Sequence, residues 1–276
     1  MPELPEVQTL VNDLNAAGFA GTTITGARVY WPRTVVQLSP EDFSRQVTGR
    51  TVASIRRRGK YIVFEFIQGP SLLVHLRMTG RLHIAAAGEG RSAHEHVLLS
   101  FDDGRQLRLH DTRKFGRLQL VEDAAAFLRH LGVEPLSERF TPEVLADIVK
   151  SRKRMLKPLL LDQRIIAGLG NIYADEALWD ARLHPKRISC SLSNGEVGAL
   201  CRAVPRVLRR GLHNLGTTLG TGAGNFYSVA RRRGRNGDRL RVFRRTGLPC
   251  PRCRTPVERI RVGQRSTHIC PVCQAL

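Results

Sequence analysis

The chain begins Met1-Pro2-Glu3-Leu4-Pro5-Glu6, which sets an imino nitrogen beside a carboxyl group once the initiator methionine is removed. A small second residue such as Pro2 generally permits that removal, so the mature chain is expected to start at Pro2. An α-amine titrates at about 7.7–8.0 and a lysine side chain at about 10.4, so at neutral pH roughly a few hundred times more of the terminal amine is uncharged. A secondary amine that condenses with an aldehyde carbon gives an iminium with no N–H proton to lose. That cation stays an electron sink for the next bond cleavage. Pro2 is therefore a candidate nucleophile and Glu3 a candidate acid, although Pro-x-x-Pro ahead of a helix also suits a merely rigid tail.

A second constellation lies at the other end. Cys250-Pro251-Arg252-Cys253 and Cys270-Pro271-Val272-Cys273 are two C-x-x-C knuckles with sixteen residues between Cys253 and Cys270. That spacing predicts a four-cysteine zinc ribbon holding one structural Zn2+, its four thiolates leaving no open position for water. Such an ion supplies about 10–16 kcal/mol of apparent binding energy, enough to fold a short, highly charged segment. The other two cysteines, Cys190 and Cys201, have no partner spacing and read as packing residues.

Several elements must position these groups. Val7, Leu10, Val11, Leu14 and Ala17 recur at helical spacing and Gly18 ends the run, predicting an amphipathic helix after Pro5. Short β-branched segments follow over 22–31, 51–57, 61–66, 72–77, 97–101, 106–110 and 118–121, the pattern of a β-sandwich or barrel. Asp102-Asp103-Gly104 predicts a hairpin turn. Past Glu134-Pro135 the character becomes helical, with Thr141-Pro142-Glu143 as a cap and further helices over 156–161, 171–181 and 196–212. The glycine-rich Ile166 to Asn171 stretch reads as a tight turn feeding a helix N-terminus.

Composition narrows the partners. With 44 Lys+Arg against 24 Asp+Glu the formal charge is +20 and the pI is near 11.1, which points to a polyanion. Thirteen arginines fall between 231 and 265, opposed there by only Asp238 and Glu258. No apolar run is long enough to span a bilayer and no basic amphipathic helix carries an aromatic anchor, so nucleic acid is favoured over a membrane. Nothing resembles an export signal, and a cytoplasmic, nucleoid-associated protein is expected.

Six separated motifs together resemble the formamidopyrimidine-DNA glycosylase family of bifunctional base-excision repair enzymes, also called MutM. They are Pro2-Glu3-Leu4-Pro5-Glu6, Arg58-Gly59-Lys60-Tyr61, His75-Leu76-Arg77-Met78-Thr79-Gly80, Arg113-Lys114-Phe115-Gly116, Gly168-Leu169-Gly170-Asn171-Ile172-Tyr173 and the cysteine finger. The resemblance implies an α+β multidomain fold. An N-terminal helix would cap a two-layer β-sandwich over 1–134, a helix–two-turn–helix domain would occupy 135–230, and a basic segment with the zinc finger 231–276.

It also implies roles. Pro2 would attack C1′ of a damaged nucleotide, and β- and δ-elimination would follow from the iminium. Glu3 would protonate the sugar ring oxygen, which at neutral pH requires a raised pKa of the kind burial supplies. Glu6 would orient the N-terminal helix or take part in proton transfer. Lys60, Asn171 and Arg265 would hold phosphates flanking the lesion. Chemistry at C1′ requires the nucleotide to leave the stack, and Met78, Arg113 and Phe115 would fill the space it vacates. The implied partner is damaged double-stranded DNA, bound by a monomer.

One stretch departs from the family pattern. After Gly216-Thr217-Thr218-Leu219 the acidic, tyrosine-containing segment is replaced by Gly220-Thr221-Gly222-Ala223-Gly224-Asn225-Phe226-Tyr227 and then Arg231-Arg232-Arg233. The resemblance implies excision of oxidised purines, 8-oxoguanine and formamidopyrimidines; the altered stretch bears on that lesion preference, and an endonuclease VIII-type sibling enzyme for oxidised pyrimidines is the alternative. Leu4 speaks against that sibling branch, which usually has glycine there. A zinc-finger DNA-binding protein without catalysis is the rival of a different class, and the co-occurrence of Pro2, Glu3 and Lys60 speaks against it.

Overall fold

A computed structural model of the chain describes residues 2–220 and 225–276. Met1 and residues 221–224 of the departing segment lie outside the described residues. The chain forms two compact units, 1–129 with 214–235, and 130–213 with 236–276.

The first unit opens with α1 (Leu4–Ala16). Glu3 is its N-cap and Pro5 sits in the first turn, where a missing N–H costs nothing. Glu3 and Glu6 form a capping box, with the Glu3 N–H donating to Glu6 Oε2 at 2.9 Å. After β1 (Ile24–Val29) comes α2 (Pro40–Val47), then β2 (Val52–Arg58), β3 (Tyr61–Phe66), β4 (Ser71–His75), β5 (Arg81–Ala86), β6 (Glu95–Phe101), β7 (Arg105–His110), β8 (Arg117–Val121) and α3 (Ala124–Leu128). The strands form two four-stranded antiparallel sheets, ordered β1-β6-β7-β5 and β2-β3-β4-β8. Val7, Leu10, Val11 and Leu14 of α1 share one core with Ile62, Phe64, Leu72 and Val74 of one sheet and Val97, Leu99, Leu107 and Leu109 of the other. Each such side chain contributes about 1.5–3 kcal/mol on full burial, so the helix is held against the sandwich it caps.

Three of these elements were not read from the sequence, α2, β5 and α3, the last capped by Asp123, whose carboxylate accepts the Ala125 and Ala126 N–H groups at 2.8 and 2.9 Å. The Ser39 hydroxyl accepts the Asp42 N–H at 3.0 Å and caps α2, so Ser39-Pro40-Glu41-Asp42 carried a start signal. The strand β5, Arg-Leu-His-Ile-Ala-Ala, has a single β-branched residue and ends in two alanines, so its composition gives little strand signal. The strand expected over 72–77 stops at His75, because Arg77 takes a left-handed backbone with φ 54°.

The second unit contains α4 (Pro142–Lys150), α5 (Leu156–Leu161), α6 (Asn171–Asp180), α7 (Asn194–His213) and the hairpin of β9 (Glu258–Val262) and β10 (Arg265–Ile269). Thr141 caps α4 through the Val144 N–H. The turn before α6 is shaped by Gln163, whose amide accepts the Gly168 N–H at 2.9 Å and donates to Leu169 O at 2.8 Å. Gly168 has φ 90°, which a side chain would strain. Cys201 is buried as expected of a packing residue, whereas Cys190 is exposed in the short turn ahead of α7 and packs no core. Among the described residues no helix is long and apolar enough to cross a membrane.

Candidate active site

In the first unit Pro2 is buried directly ahead of α1, and Glu3 and Glu6 are 2% and 1% exposed. The Glu6 carboxylate has structural partners on both oxygens: Oε2 takes the Glu3 N–H, and Oε1 accepts the Thr217 N–H at 2.8 Å. This places Glu6 as a clamp on the start of the helix. Lys60, 6% exposed, occupies the two-residue turn between β2 and β3, where Gly59 supplies the positive φ of 56° that such turns demand. Arg57 ties that turn to the helix, donating from Nε to Gln8 Oε1 and from a terminal nitrogen to Gly59 O, both at 2.9 Å. The structure thus brings the Lys60 turn and α1 into one hydrogen-bonded arrangement. His75, paired across β3 and β4 with Tyr61, has its pKa pushed down to about 3, by burial first and then by the charges of Arg77 and Lys60. A neutral ring also suits its Nδ1, which accepts the Arg77 N–H at 3.0 Å.

Met78, Arg113 and Phe115 are all exposed, Met78 at 39% and Phe115 at 44%. Both large apolar side chains stand at turn positions outside the core. The Arg113 guanidinium lies 4.9 Å from the Phe115 ring centroid. Met78 follows Arg77 (φ 54°) and Phe115 follows Lys114 (φ 60°), so each projecting apolar side chain comes after a left-handed non-glycine residue. Such a backbone costs about 1–2 kcal/mol per residue and persists only where its surroundings enforce it. Asp111 supplies that enforcement at the second turn. Its carboxylate accepts the N–H groups of Arg113 at 3.1 Å, Phe115 at 2.8 Å and Gly116 at 2.7 Å, as well as the Thr79 hydroxyl.

In the second unit Asn171 begins α6 and its Nδ2 donates to the carbonyl of Ser266, the residue after Arg265, at 3.0 Å. Arg265 is exposed and follows a turn in which Gly263 and Gln264 have φ 53° and 64°. Helix α6 brings Asn171 and the β10 backbone together through a buried ion pair. Lys157 Nζ reaches Asp175 Oδ1 at 2.6 Å, Thr267 Oγ1 at 2.8 Å and Ser266 O at 3.0 Å, while Asp175 Oδ2 accepts the His268 N–H at 2.9 Å. At the next position, Glu176 accepts the backbone N–H groups of Arg241, Val242 and Phe243, and burial raises its pKa.

The sulfurs of Cys250, Cys253, Cys270 and Cys273 all lie within 4.8 Å of one another. Three of the separations are 3.3, 3.5 and 3.9 Å. A tetrahedron of Zn–S bonds of about 2.3 Å requires sulfurs about 3.8 Å apart, so the residues fit one structural zinc ion. The Trp179 indole N–H donates to Cys250 Sγ at 3.4 Å, and the Arg252 guanidinium lies 3.9 Å from the Trp179 ring centroid.

Sequence reasoning missed Asp111, Thr79, Arg57, Lys157, Asp175 and Trp179. Only Asp111 carried a local cue, an aspartate at a turn with Gly116 five residues on. Each of the others has a partner far away in sequence, such as Gln8 for Arg57 and Asp111 for Thr79.

Comparison with known proteins agrees along the whole chain. Residues 1–118 match the formamidopyrimidine-DNA glycosylase N-terminal domain, 131–223 its H2TH domain, and 247–276 the zinc finger found in FPG and IleRS. The formamidopyrimidine-DNA glycosylase of Protochlamydia amoebophila is 46% identical over 274 residues, 99% of each chain. That of Herpetosiphon aurantiacus is 44% identical over 277 residues, covering both chains completely. A Lactococcus lactis FPG mutant in complex with a Fapy-dG containing DNA superposes with a TM-score of 0.92 at 34% identity over 100% of both chains. The wild-type Lactococcus lactis protein with an oxidized pyrimidine containing DNA gives 0.91 at 33% identity, again over 100% of both. With helix-capped β-sandwich, helix–two-turn–helix region and four-cysteine finger all present, the chain belongs to the formamidopyrimidine-DNA glycosylase family.

Proposed function

We propose that this protein is a bifunctional DNA glycosylase and abasic-site lyase that removes oxidised purines, 8-oxoguanine and formamidopyrimidines, from duplex DNA. The observation that carries the reading is the buried Pro2-Glu3 start of α1, tied through Arg57 to the turn that holds Lys60. With Met1 removed, the Pro2 nitrogen forms a bond to C1′ as the bond from C1′ to the base breaks. The departing base takes the bonding pair and the proton from the Pro2 nitrogen, Glu3 gives a proton to the ring oxygen as the bond from C1′ to that oxygen breaks, and the nitrogen pair freed by deprotonation closes the iminium. Loss of a 2′ proton expels the 3′ phosphate, and a second elimination expels the 5′ phosphate. Lys60, Asn171 and Arg265 hold phosphates around the extruded nucleotide, and Met78, Arg113 and Phe115 occupy its place in the stack.

The net charge of +20 supports a DNA partner. In this reading the protein works as a monomer in the cytoplasm, associated with the nucleoid through DNA alone.

Borohydride trapping tests the chemistry. An 8-oxoguanine duplex should give a covalent adduct through Pro2, and Pro2→Gly should lose most of it while still binding DNA. An undiminished adduct in a chain shown by intact mass to retain Met1 would refute the nucleophile, and an intact abasic duplex after prolonged incubation would leave a binding protein only. The Lactococcus lactis relative has been crystallised with an oxidized pyrimidine as well as with Fapy-dG DNA. Excision of thymine glycol should therefore be compared with that of 8-oxoguanine, and the purine should be preferred.

A further inference from the structure

Asp111 is 1% exposed, so its carboxylate touches protein rather than DNA, yet the hydrogen bonds it accepts all come from the two turns that carry Met78, Arg113 and Phe115. Its own backbone is fixed as well, the N–H donating to His94 O at 2.8 Å and the carbonyl lying 2.9 Å from His96 Nε2. Thr79 follows Met78 and belongs to the other turn. Its hydroxyl donates to Asp111 Oδ1 and accepts the Arg113 N–H at 3.3 Å. One hydroxyl and one carboxylate thus link a turn after β4 to a turn after β7.

We propose that Asp111 and Thr79 are positioning residues that join the Met78 turn and the Arg113–Phe115 turn into a single rigid element, so that the three side chains enter the DNA stack together. Separate turns would each lose conformational freedom on insertion, whereas a joined pair has lost it during folding. The left-handed Arg77 and Lys114 fit this role, because a strained backbone holds a projecting side chain in one direction only while its neighbours fix it. The proposal rests on the reading that these three side chains fill the vacated space.

Thr79→Val tests it, since valine keeps the shape and removes both hydrogen bonds. Insertion is followed by stopped-flow fluorescence of a 2-aminopurine placed beside the lesion, in single turnover, for the parent, Met78→Ala, Phe115→Ala and their double variant, each with and without Thr79→Val. Thr79→Val should slow insertion by about tenfold, the effect of one charge-assisted hydrogen bond, with the melting temperature and the affinity for undamaged duplex preserved. The Met78 and Phe115 effects should be non-additive in the parent and additive once Thr79→Val is present. Asp111→Asn, which turns a donor toward the Phe115 and Gly116 N–H groups, should slow insertion further; if it does not fold, Thr79→Val decides alone. Insertion within twofold of the parent in Thr79→Val, or coupling that survives in it, would overturn the proposal. If Met78→Ala and Phe115→Ala themselves leave insertion untouched, the filling role beneath it is wrong instead.

Discussion

Glu6 and Thr217, 211 residues apart, are joined by a 2.8 Å hydrogen bond from the Thr217 N–H to the Glu6 carboxylate. The other oxygen of the same carboxylate holds the Glu3 N–H, so one buried acid fixes both the first helical turn and the 216–218 loop. Gly216 permits the approach: with φ 79°, a Cβ there would lie 3.0 Å from Glu6 Cγ and 2.8 Å from the Phe226 ring. Glu6→Gln presents an NH2 where an acceptor is required and leaves one buried N–H unpaired. It should cost about 1–3 kcal/mol in chemical denaturation and reduce borohydride trapping while DNA affinity persists. Full trapping in a destabilised Glu6→Gln would limit Glu6 to a structural role.

Lys157 and Asp175 are both wholly buried, and their pair also fixes Ser266, Thr267 and His268. Lys157→Met strands a buried carboxylate and should destabilise the protein by about 3–5 kcal/mol. Adding Asp175→Leu should restore much of that stability. The affinity for abasic-site duplex should remain weakened in the double variant, because the β10 backbone beside Arg265 has lost its anchor. Fluorescence anisotropy alongside denaturation separates the two effects.

The neutral His75 makes stability pH-dependent. Its folded pKa of about 3 lies below the ordinary value of 6.5, so between these limits the unfolded chain takes up a proton that the folded chain does not. The stabilisation is complete above pH 6.5 and is lost as pH falls toward 3. The stability of the parent relative to His75→Asn should therefore shrink by on the order of 2–3 kcal/mol between about pH 7 and pH 4. Urea denaturation at several pH values measures it, and a constant difference would contradict the assignment.

Trp179 reaches the metal site from α6. Trp179→Phe keeps an aromatic ring but removes the N–H donated to Cys250 Sγ and should accelerate zinc transfer to a chromogenic chelator by about tenfold, the lower end of what loss of an outer hydrogen bond to a metal ligand costs. An unchanged release rate would show that the indole serves packing alone.

Periodicity and turn chemistry made most of the fold legible. The helix after Pro5, the hairpin at Asp102-Asp103-Gly104 and the capped start at Thr141 depend on residues within one turn of each other, and each appears in the structure. Strand β5 escaped because Ile84 is its one β-branched residue and Ala85 and Ala86 favour a strand weakly. The end of β4 escaped because nothing in the type of Arg77 announces a left-handed backbone. Among the site candidates, Pro2, Glu3 and Lys60 could be named from local chemistry and resemblance, while their supports Arg57, Asp111, Lys157 and Trp179 looked like ordinary charged or core residues.

By itself the amino-acid order determined which reactive groups exist, the four thiolates for zinc, the charge that favours DNA, and the kinds of element along the chain, because these follow from composition and from neighbours a few residues apart. Only the tertiary structure decided that Glu6 meets Thr217, that Asp111 serves two turns, and that Lys157 anchors the strand beginning at Arg265. A buried polar group must find a partner wherever the folded chain brings one, and that partner can lie 211 residues away, as it does for Glu6.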